Sequence, residues 1–557
     1  MDHSFLQHQR ANRVTAINSL NNINKFLKAT DCYSCIHARI GGMRVIENHI
    51  NYMEAITIQY AATMATATNE GMPSIGLVTQ VFTALESFLN YNASISLPPT
   101  KSARVAYLWF FTIASAYSWI TPATSITGTK DSWNWDTKHV LSDDTSQFVW
   151  ITHVLAAIMS NFVPSYDTSA ILSQERIKFG WTEEQQNAEW LSVQSQGNYI
   201  AWRALWDTWY SGRQADGNVA ASVAPTNTQL PNGATRLDVT SAQDFTDATT
   251  YPQARQWTPL IVGGAVKNFL TYGWGDVTST CLNTSDETTI KDSADTAFLG
   301  ETPARDAEID ELVTVTSGAN LTDTQKVIAE FWAGGPSTVS PPCMMVWFWK
   351  KYIEITGQSM HTMIYSGLEL SINIFEGSRV TWALKRAHME ARPIQEIRRK
   401  NNGQTVIKYD GTSIDANLWV PYQESNFVTP PFADFPSGHS TFSQAFANVM
   451  NAWFSASIPT TRVTMTDLNL LSPIFTSSQE NSLTDIMINK QSSKIQVGAV
   501  PASDIHLTWS VWQDIADQAG ISRQYGGIHC VSAHNGGKLV ANGIFPVITN
   551  KWEISRM

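Results

Sequence analysis

Apolar residues recur at spacings of three and four through residues 53–89, 105–120 and 148–162, the pattern of helices that bury one face. From 212 to 247 the pattern dissolves into Gly, Ala, Asn, Thr and Pro with few large apolar side chains, which predicts a long loop over the surface. A second helical part begins near Thr322, where Thr322 and Gln325 form a capping-box pair and Gly334-Gly335-Pro336 stops the helix they open. Further helices are predicted over 343–356, 361–374, 377–389, 440–455 and 505–519. Strand signals are sparse; residues 405–409 read as half of a small hairpin. No repeat of fixed period is visible. The pattern predicts an all-α protein in three parts: an N-terminal helical half (1–211), a long irregular connection (212–321) and a C-terminal helical bundle (322–557).

The helix at 440–455 points to chemistry. Phe442, Phe446, Val449, Met450 and Trp453 fall on one face, so that face goes to the core. The tetrapeptide PSGH (436–439) then sits at the N-terminus, where free backbone N–H groups and the positive end of the dipole favour an anion. Gly438 lets backbone approach closely, and Ser437 adds a hydroxyl donor. Two other stretches supply cations and imidazoles. In KRAHMEARP (385–393), Lys385 and Arg392 stand seven apart, followed by Pro393; in SRQYGGIH (522–529), Arg523 precedes His529 by six. A single Arg is usually a surface charge and a lone His is usually structural. One lysine, two arginine forks, a serine–glycine loop and two histidines, His439 and His529, are together the equipment for gripping a tetrahedral oxyanion.

Composition narrows the partners. The net charge of −11 argues against nucleic acid, whose phosphates need clustered Lys and Arg, but leaves a buried anion site open. Apolar residues at 43% and charged ones at 15% describe a globular chain, and 21 tryptophans suit broad helix packing. The opening residues MDHSFLQHQRANRV lack the apolar core of a secretory signal, so a soluble, cytoplasmic protein is the default expectation, with the compartment undetermined. Residues 105–120 are too short for a usual membrane span and read as a buried helix. Of five cysteines, Cys32 and Cys35 form a lone CYSC without the second pair a zinc site needs, so reduced structural thiols are expected.

The three stretches, in this order, resemble the vanadium-dependent haloperoxidases and their relatives, the type 2 phosphatidic acid phosphatases. Trp382, three residues before the lysine, and Phe432, seven before His439 in PPFADFPSGH, match aromatic positions of vanadium chloroperoxidases near the halide. AEFWAGGPSTVSPP (329–342) is similar to a family run written FWADGP…TPP, and WTPLIVGGAVKNFLTYGW (257–274) to a less specific family segment. The resemblance implies two helical bundles and a vanadate cofactor, with neither haem nor flavin. It implies that His529 is the vanadium ligand. Lys385, Arg392, Ser437, the Gly438 amide and Arg523 would hold the remaining oxygens. His439 and Lys385 would be catalytic, His439 moving protons at the apical position. Hydrogen peroxide and a halide would be the co-substrates and hypohalous acid the product; the organic acceptor and any homo-oligomer are left open.

In the phosphatase relatives, the residue matching His529 is the nucleophile and the one matching His439 protonates the leaving group. Length, the absence of several spanning segments, Trp382 with Phe432, and the 82 residues between His439 and Ser522 favour a haloperoxidase. Two positions depart from the family pattern. Gly334 stands where an aspartate commonly pairs with the second arginine, and Ala533 where an aspartate can orient the second histidine. Three readings follow: haloperoxidase, soluble acid phosphatase, or a haloperoxidase-like fold kept for assembly with little turnover.

Overall fold

The computed structural model describes residues 75–120, 144–460, 462–463, 468, 471–472 and 481–552. The chain divides into two units, Met1–Gly71 and Met72–Met557, and every described residue lies in the second. The opening segment, the CYSC pair and the first part of the 53–89 helix fall outside the described residues.

Helices dominate, and among the described residues the N-terminal part carries six longer ones: α1 (Ile75–Ser94), α2 (Pro99–Ile120), α3 (Asp144–Phe162), α4 (Ser169–Phe179), α5 (Glu183–Ser195) and α6 (Gly197–Gln214). Helix α2 contains the 105–120 run and is buried almost all round, as an evenly apolar helix should be. No helix among the described residues is long and apolar enough to cross a membrane. The short helix α7 (Asn218–Ala221) and the strands β1 (Leu237–Asp238), β2 (Leu260–Val262) and β3 (Ala265–Lys267), paired in that order, follow.

The connection expected to be irregular up to 321 also contains α8 (Thr284–Asp295) and α9 (Pro303–Val315). Their cores are thin, Ile290 and Ala294 in α8 and Arg305, Ile309 and Leu312 in α9, so periodicity gave little signal. Side-chain caps at Asn283 and Thr302 start them instead.

The second helical part comprises α10 (Asp323–Phe331), α11 (Ser340–Thr356), α12 (Met360–His388), α13 (Pro393–Lys400), α14 (Gly438–Trp453), α15 (Trp512–Tyr525) and α16 (Val531–Trp552). Thr322 and Gln325 cap α10 reciprocally, as the sequence predicts. The helices expected at 361–374 and 377–389 are one continuous α12. Glu376 does not break it, because its carboxylate is satisfied by Ser279, Thr280 and Arg379, and Gly377 lets α14 come close at Thr441. Residues 405–409 do begin a hairpin, β4 (Thr405–Ile407) with β5 (Ser413–Asp415).

The helix expected at 505–519 is corrected. Residues 505–508 are the strand β9 (Ile505–Thr508), and α15 starts only at Trp512. Ile505 and Leu507 turn inward while His506 and Thr508 face solvent, a period of two rather than 3.6. Strand β9 closes a small four-stranded sheet with β6 (Arg462–Val463), β7 (Asn481–Ser482) and β8 (Asp485–Ile488), all between α14 and α15.

Helix α12 is the axis of the core. It packs against α2, α14 and α16, and α14 packs in turn on α11, α15 and α16. At Gly537 of α16 a side chain would stand 2.4 Å from the carbonyl oxygen of Ser437, so glycine sets how closely α16 approaches the start of α14. Trp332, Trp347, Trp349, Trp382 and Trp512 are among the fully buried side chains. At roughly 200 Å² and about 25 cal/mol per Å², each contributes about 5 kcal/mol before entropy is charged.

Candidate oxyanion site

The three motif stretches occupy three helix ends: the last turn of α12, the N-terminus of α14 and the C-terminus of α15. Met389, at positive φ, ends α12; Pro393 then starts α13, leaving Arg392 as its N-cap residue. That sharp exit places Lys385 and Arg392 both against one aromatic ring. Lys385 Nζ lies 5.1 Å and the Arg392 guanidinium 4.9 Å from the centre of Phe432.

Lys385 is fully buried, and its Nζ donates to the carbonyl oxygens of Ala433 (2.7 Å) and Asp434 (2.9 Å). Arg392 donates from Nε to the Phe432 carbonyl oxygen (2.6 Å) and from Nη1 to that of Ile528 (2.7 Å). Its Nη1 also lies 3.1 Å from His529 Nε2, while Nη2 has no partner. His529 Nδ1 meets Asp434 Oδ1 at 2.5 Å. A carboxylate only accepts, so Nδ1 carries the proton and Nε2 presents a lone pair. Burial first, and Arg392 second, hold His529 well below the ordinary histidine range.

On the other side of the site, His439 Nε2 donates to the Trp332 carbonyl oxygen (2.8 Å), which also accepts from Arg523 Nη1 (3.0 Å). Arg523 Nε and Nη2 are buried without a partner. Burial, then Arg523 and His529, push His439 well below its usual range, so it is neutral with Nδ1 free to accept a proton. Burial and then Arg392 bring Lys385 well down; burial takes Arg392 down to about 10, and burial with Arg392 takes Arg523 to about 9.

Ser437 is the N-cap of α14: its hydroxyl oxygen accepts from Ser440 N (3.4 Å), which leaves its O–H available as a donor. A side chain at Gly438 would stand 3.4 Å from Trp382, so that indole roofs the loop. Trp382 and Phe432 pack at 4.8 Å between centres, and Trp382 Nε1 donates to the Leu270 carbonyl oxygen (3.0 Å). Leu270 belongs to the 257–274 stretch, whose Phe269 also faces Phe432.

The two missing acids have different outcomes. At Ala533 the orienting role passes to Asp434, which burial alone would push up but which His529, Arg305 and Arg392 hold well below the usual carboxylate range. At Gly334 no acid takes over. No carboxylate among the described residues pairs with Arg523; the Trp332 carbonyl orients it instead. Gly334 itself has φ +58°, and a side chain there would meet Pro341 at 2.8 Å and His439 Nε2 at 3.4 Å. Sequence reasoning missed Asp434, Arg305 and the Trp332 carbonyl. Asp434 did leave a signal, as one carboxylate inside the apolar run PPFADFP; Arg305, on α9, left none.

The orphaned donors are what an oxyanion would satisfy. Three buried guanidinium nitrogens without acceptors, a serine hydroxyl, a helix N-terminus and an unprotonated imidazole nitrogen form a donor-rich cradle with one ligating atom. That set suits tetrahedral vanadate or phosphate.

Comparison with known proteins bears on the fold. Residues 367–551 match the model of the VCPO (vanadium chloroperoxidase) second helical-bundle domain. The fold is similar to that of a bacterial vanadium-dependent chloroperoxidase in its holo form, with a TM-score of 0.56 at 13% identity, over 88% of this chain and 98% of that one. The apo form of a bacterial vanadium-dependent chloroperoxidase gives 0.55 at 14%, over 83% and 95%. A bacterial vanadium-dependent iodoperoxidase gives 0.50 at 15%, over 84% and 95%. The search of curated protein sequences found no match.

Proposed function

Because residues 367–551 match the VCPO second-bundle family and the chain has the vanadium haloperoxidase fold, we propose that the protein is a vanadium-dependent haloperoxidase. Its reaction would be the oxidation of a halide by hydrogen peroxide to hypohalous acid. The observation that carries the reading is the set of unpartnered guanidinium nitrogens, Arg392 Nη2 with Arg523 Nε and Nη2, in the same site as His529 Nε2.

Vanadate would be held by His529 Nε2, with Lys385, Arg392, Arg523, the Ser437 hydroxyl and the Gly438 amide on its oxygens. When bound it supplies Lewis acidity toward peroxide at constant oxidation state. The chain's own groups do the rest. Arg392 moves its Nη1 donor off His529 Nε2 to an oxyanion, trading a neutral acceptor for a charged one. His439, fixed through Nε2–H on Trp332, takes a proton at Nδ1 and returns it. Lys385 is buried beside Arg392 and keeps one N–H beyond those given to Ala433 and Asp434, so it can polarise an oxygen or give up a proton easily. Trp382 and Phe432 form an apolar wall on which a weakly hydrated halide loses little by leaving water.

A second reading, an acid phosphatase of the same architecture, is favoured by the same Asp434–His529 bond, since a histidine with Nε2 bare and Nδ1 anchored is also a competent nucleophile. Loading with orthovanadate, elemental analysis and peroxide- and bromide-dependent bromination of a phenol dye test the first reading. His529→Ala is expected to lose both bound vanadium and bromination while keeping its helical content. Wild type that ignores peroxide yet hydrolyses nitrophenyl phosphate in vanadate-free buffer would establish the second reading in its place.

A further inference from the structure

Asp434 is hydrogen-bonded to three basic side chains at once. Its Oδ1 takes the His529 Nδ1 proton at 2.5 Å, its Oδ2 takes Arg305 Nη2 at 2.8 Å, and its backbone oxygen accepts from Lys385. Arg392 Nη1 is also close to Oδ1, but at 3.9 Å it is beyond hydrogen-bond reach. The carboxylate is completely buried, so bulk solvent does not screen these contacts.

We propose that Arg305 and Asp434 form a positioning pair that sets which nitrogen of His529 is free and keeps Arg392 available for an oxyanion. The inference rests on the oxyanion-site reading above. The first half follows from valence: a carboxylate opposite Nδ1 admits only the Nδ1–H form, which exposes the Nε2 lone pair. The second half follows from charge. A lone buried carboxylate between Arg392 and His529 would draw the Arg392 fork onto itself and cancel its charge. Arg305 occupies the outer oxygen and supplies the counter-charge, and Arg392 stays turned toward His529.

Arg305 is itself braced. Its Nη1 lies 3.5 Å from Glu308 Oε2 and 3.4 Å from Ser532 Oγ, and its Nη2 lies 3.5 Å from Glu390 Oε2. Glu308 also accepts from Ser532 N (2.8 Å) and Ser532 Oγ (2.7 Å), which staples α9 to the start of α16, three residues after His529. Both Arg305 and Glu308 lie outside the segment 367–551. A helix from the connecting region therefore takes part in ordering the site, and it does so where Ala533 offers no acid of its own.

The test uses the full-length, ligand-free protein labelled with ¹⁵N-histidine, with the His529 signals identified by difference from His529→Gln. The expected spectrum shows neutral His529 with the proton on Nδ1. Asp434→Asn should move it to Nε2, because the amide can donate to Nδ1, and should weaken orthovanadate or inorganic phosphate binding by roughly 10–100-fold. Asp434→Glu should keep the Nδ1–H form and recover part of the affinity. Arg305→Met should leave the tautomer unchanged yet lower oxyanion affinity, with Arg305→Lys partway back. If Asp434→Asn does not fold, the Glu and Lys variants carry the test. An Nε2–H tautomer in the wild type, an unchanged tautomer in Asp434→Asn, or wild-type affinity in Arg305→Met would overturn the proposal. The tautomer is read without ligand, so a wild type that binds neither oxyanion counts against the proposed function and not against this pair.

Discussion

The carbonyl oxygen of Trp332 accepts the Nε2 proton of His439 at 2.8 Å. Arg523 Nη1 shares that oxygen, so a single backbone group sets both the tautomer of the proton-moving imidazole and the direction of a cationic fork. The carbonyl can do this because the chain turns two residues later through Gly334 at φ +58°, flush against Pro341 and His439.

Gly334→Ala is expected to destabilise the protein by about 1–3 kcal/mol, from the left-handed backbone and the 2.8 Å approach to Pro341. Urea unfolding measures that loss. Bromination should fall further than the stability change accounts for, because His439 and Arg523 lose their common anchor.

Arg523→Lys keeps the charge but removes the two unpartnered donors, Nε and Nη2. A charge-assisted hydrogen bond contributes about 1.5–3 kcal/mol, so orthovanadate affinity should drop by roughly 10–100-fold. Titration of the ligand-free protein checks it; an unchanged affinity would mean that those donors never meet the oxyanion.

Lys385→Ala should separate binding from turnover. Arg392 and Arg523 remain to retain the oxyanion, so vanadium content should decline modestly while the rate of peroxide-dependent bromination falls severely. Elemental analysis and steady-state rates on the same preparation distinguish the two effects.

The pH dependence of stability should carry a signature from His534. Burial first, and Lys538 second, push its pKa down to about 4; the ring is held at Ser440 Oγ (2.8 Å), with Asp517 only partly opposing the shift. The folded state therefore refuses a proton that the unfolded chain accepts near pH 6.5. Stability is complete above that pH and is lost as the pH falls from about 6.5 toward 4, by up to about 3 kcal/mol. His534→Gln should flatten this part of the curve in urea titrations between pH 4.5 and 7.5.

The helices that bury a broad stripe were legible in the sequence. Residues 440–455 carry their own periodicity, 343–353 is a run buried on all sides, and Thr322 with Gln325 announced a helix start. Helices α8 and α9 were not, because one or two apolar contacts and a good cap leave almost no periodic trace. The cations and imidazoles could be read because oxyanion chemistry requires those residue types. The groups that orient them could not: a backbone carbonyl such as that of Trp332 has no residue identity, and Arg305 reaches Asp434 across 129 positions of sequence.

Helices α14 and α15 pack directly on one another, while 82 residues, including strands β6 to β9, run between His439 and Ser522. Once that helix contact fixes both ends, the 58 residues between Trp453 and Trp512 form a closed loop whose length is nearly neutral: each doubling costs only about 0.6 kcal/mol of closure entropy. The distance along the chain between two motifs is therefore a record of tolerated insertion, and does not decide which reaction the site performs.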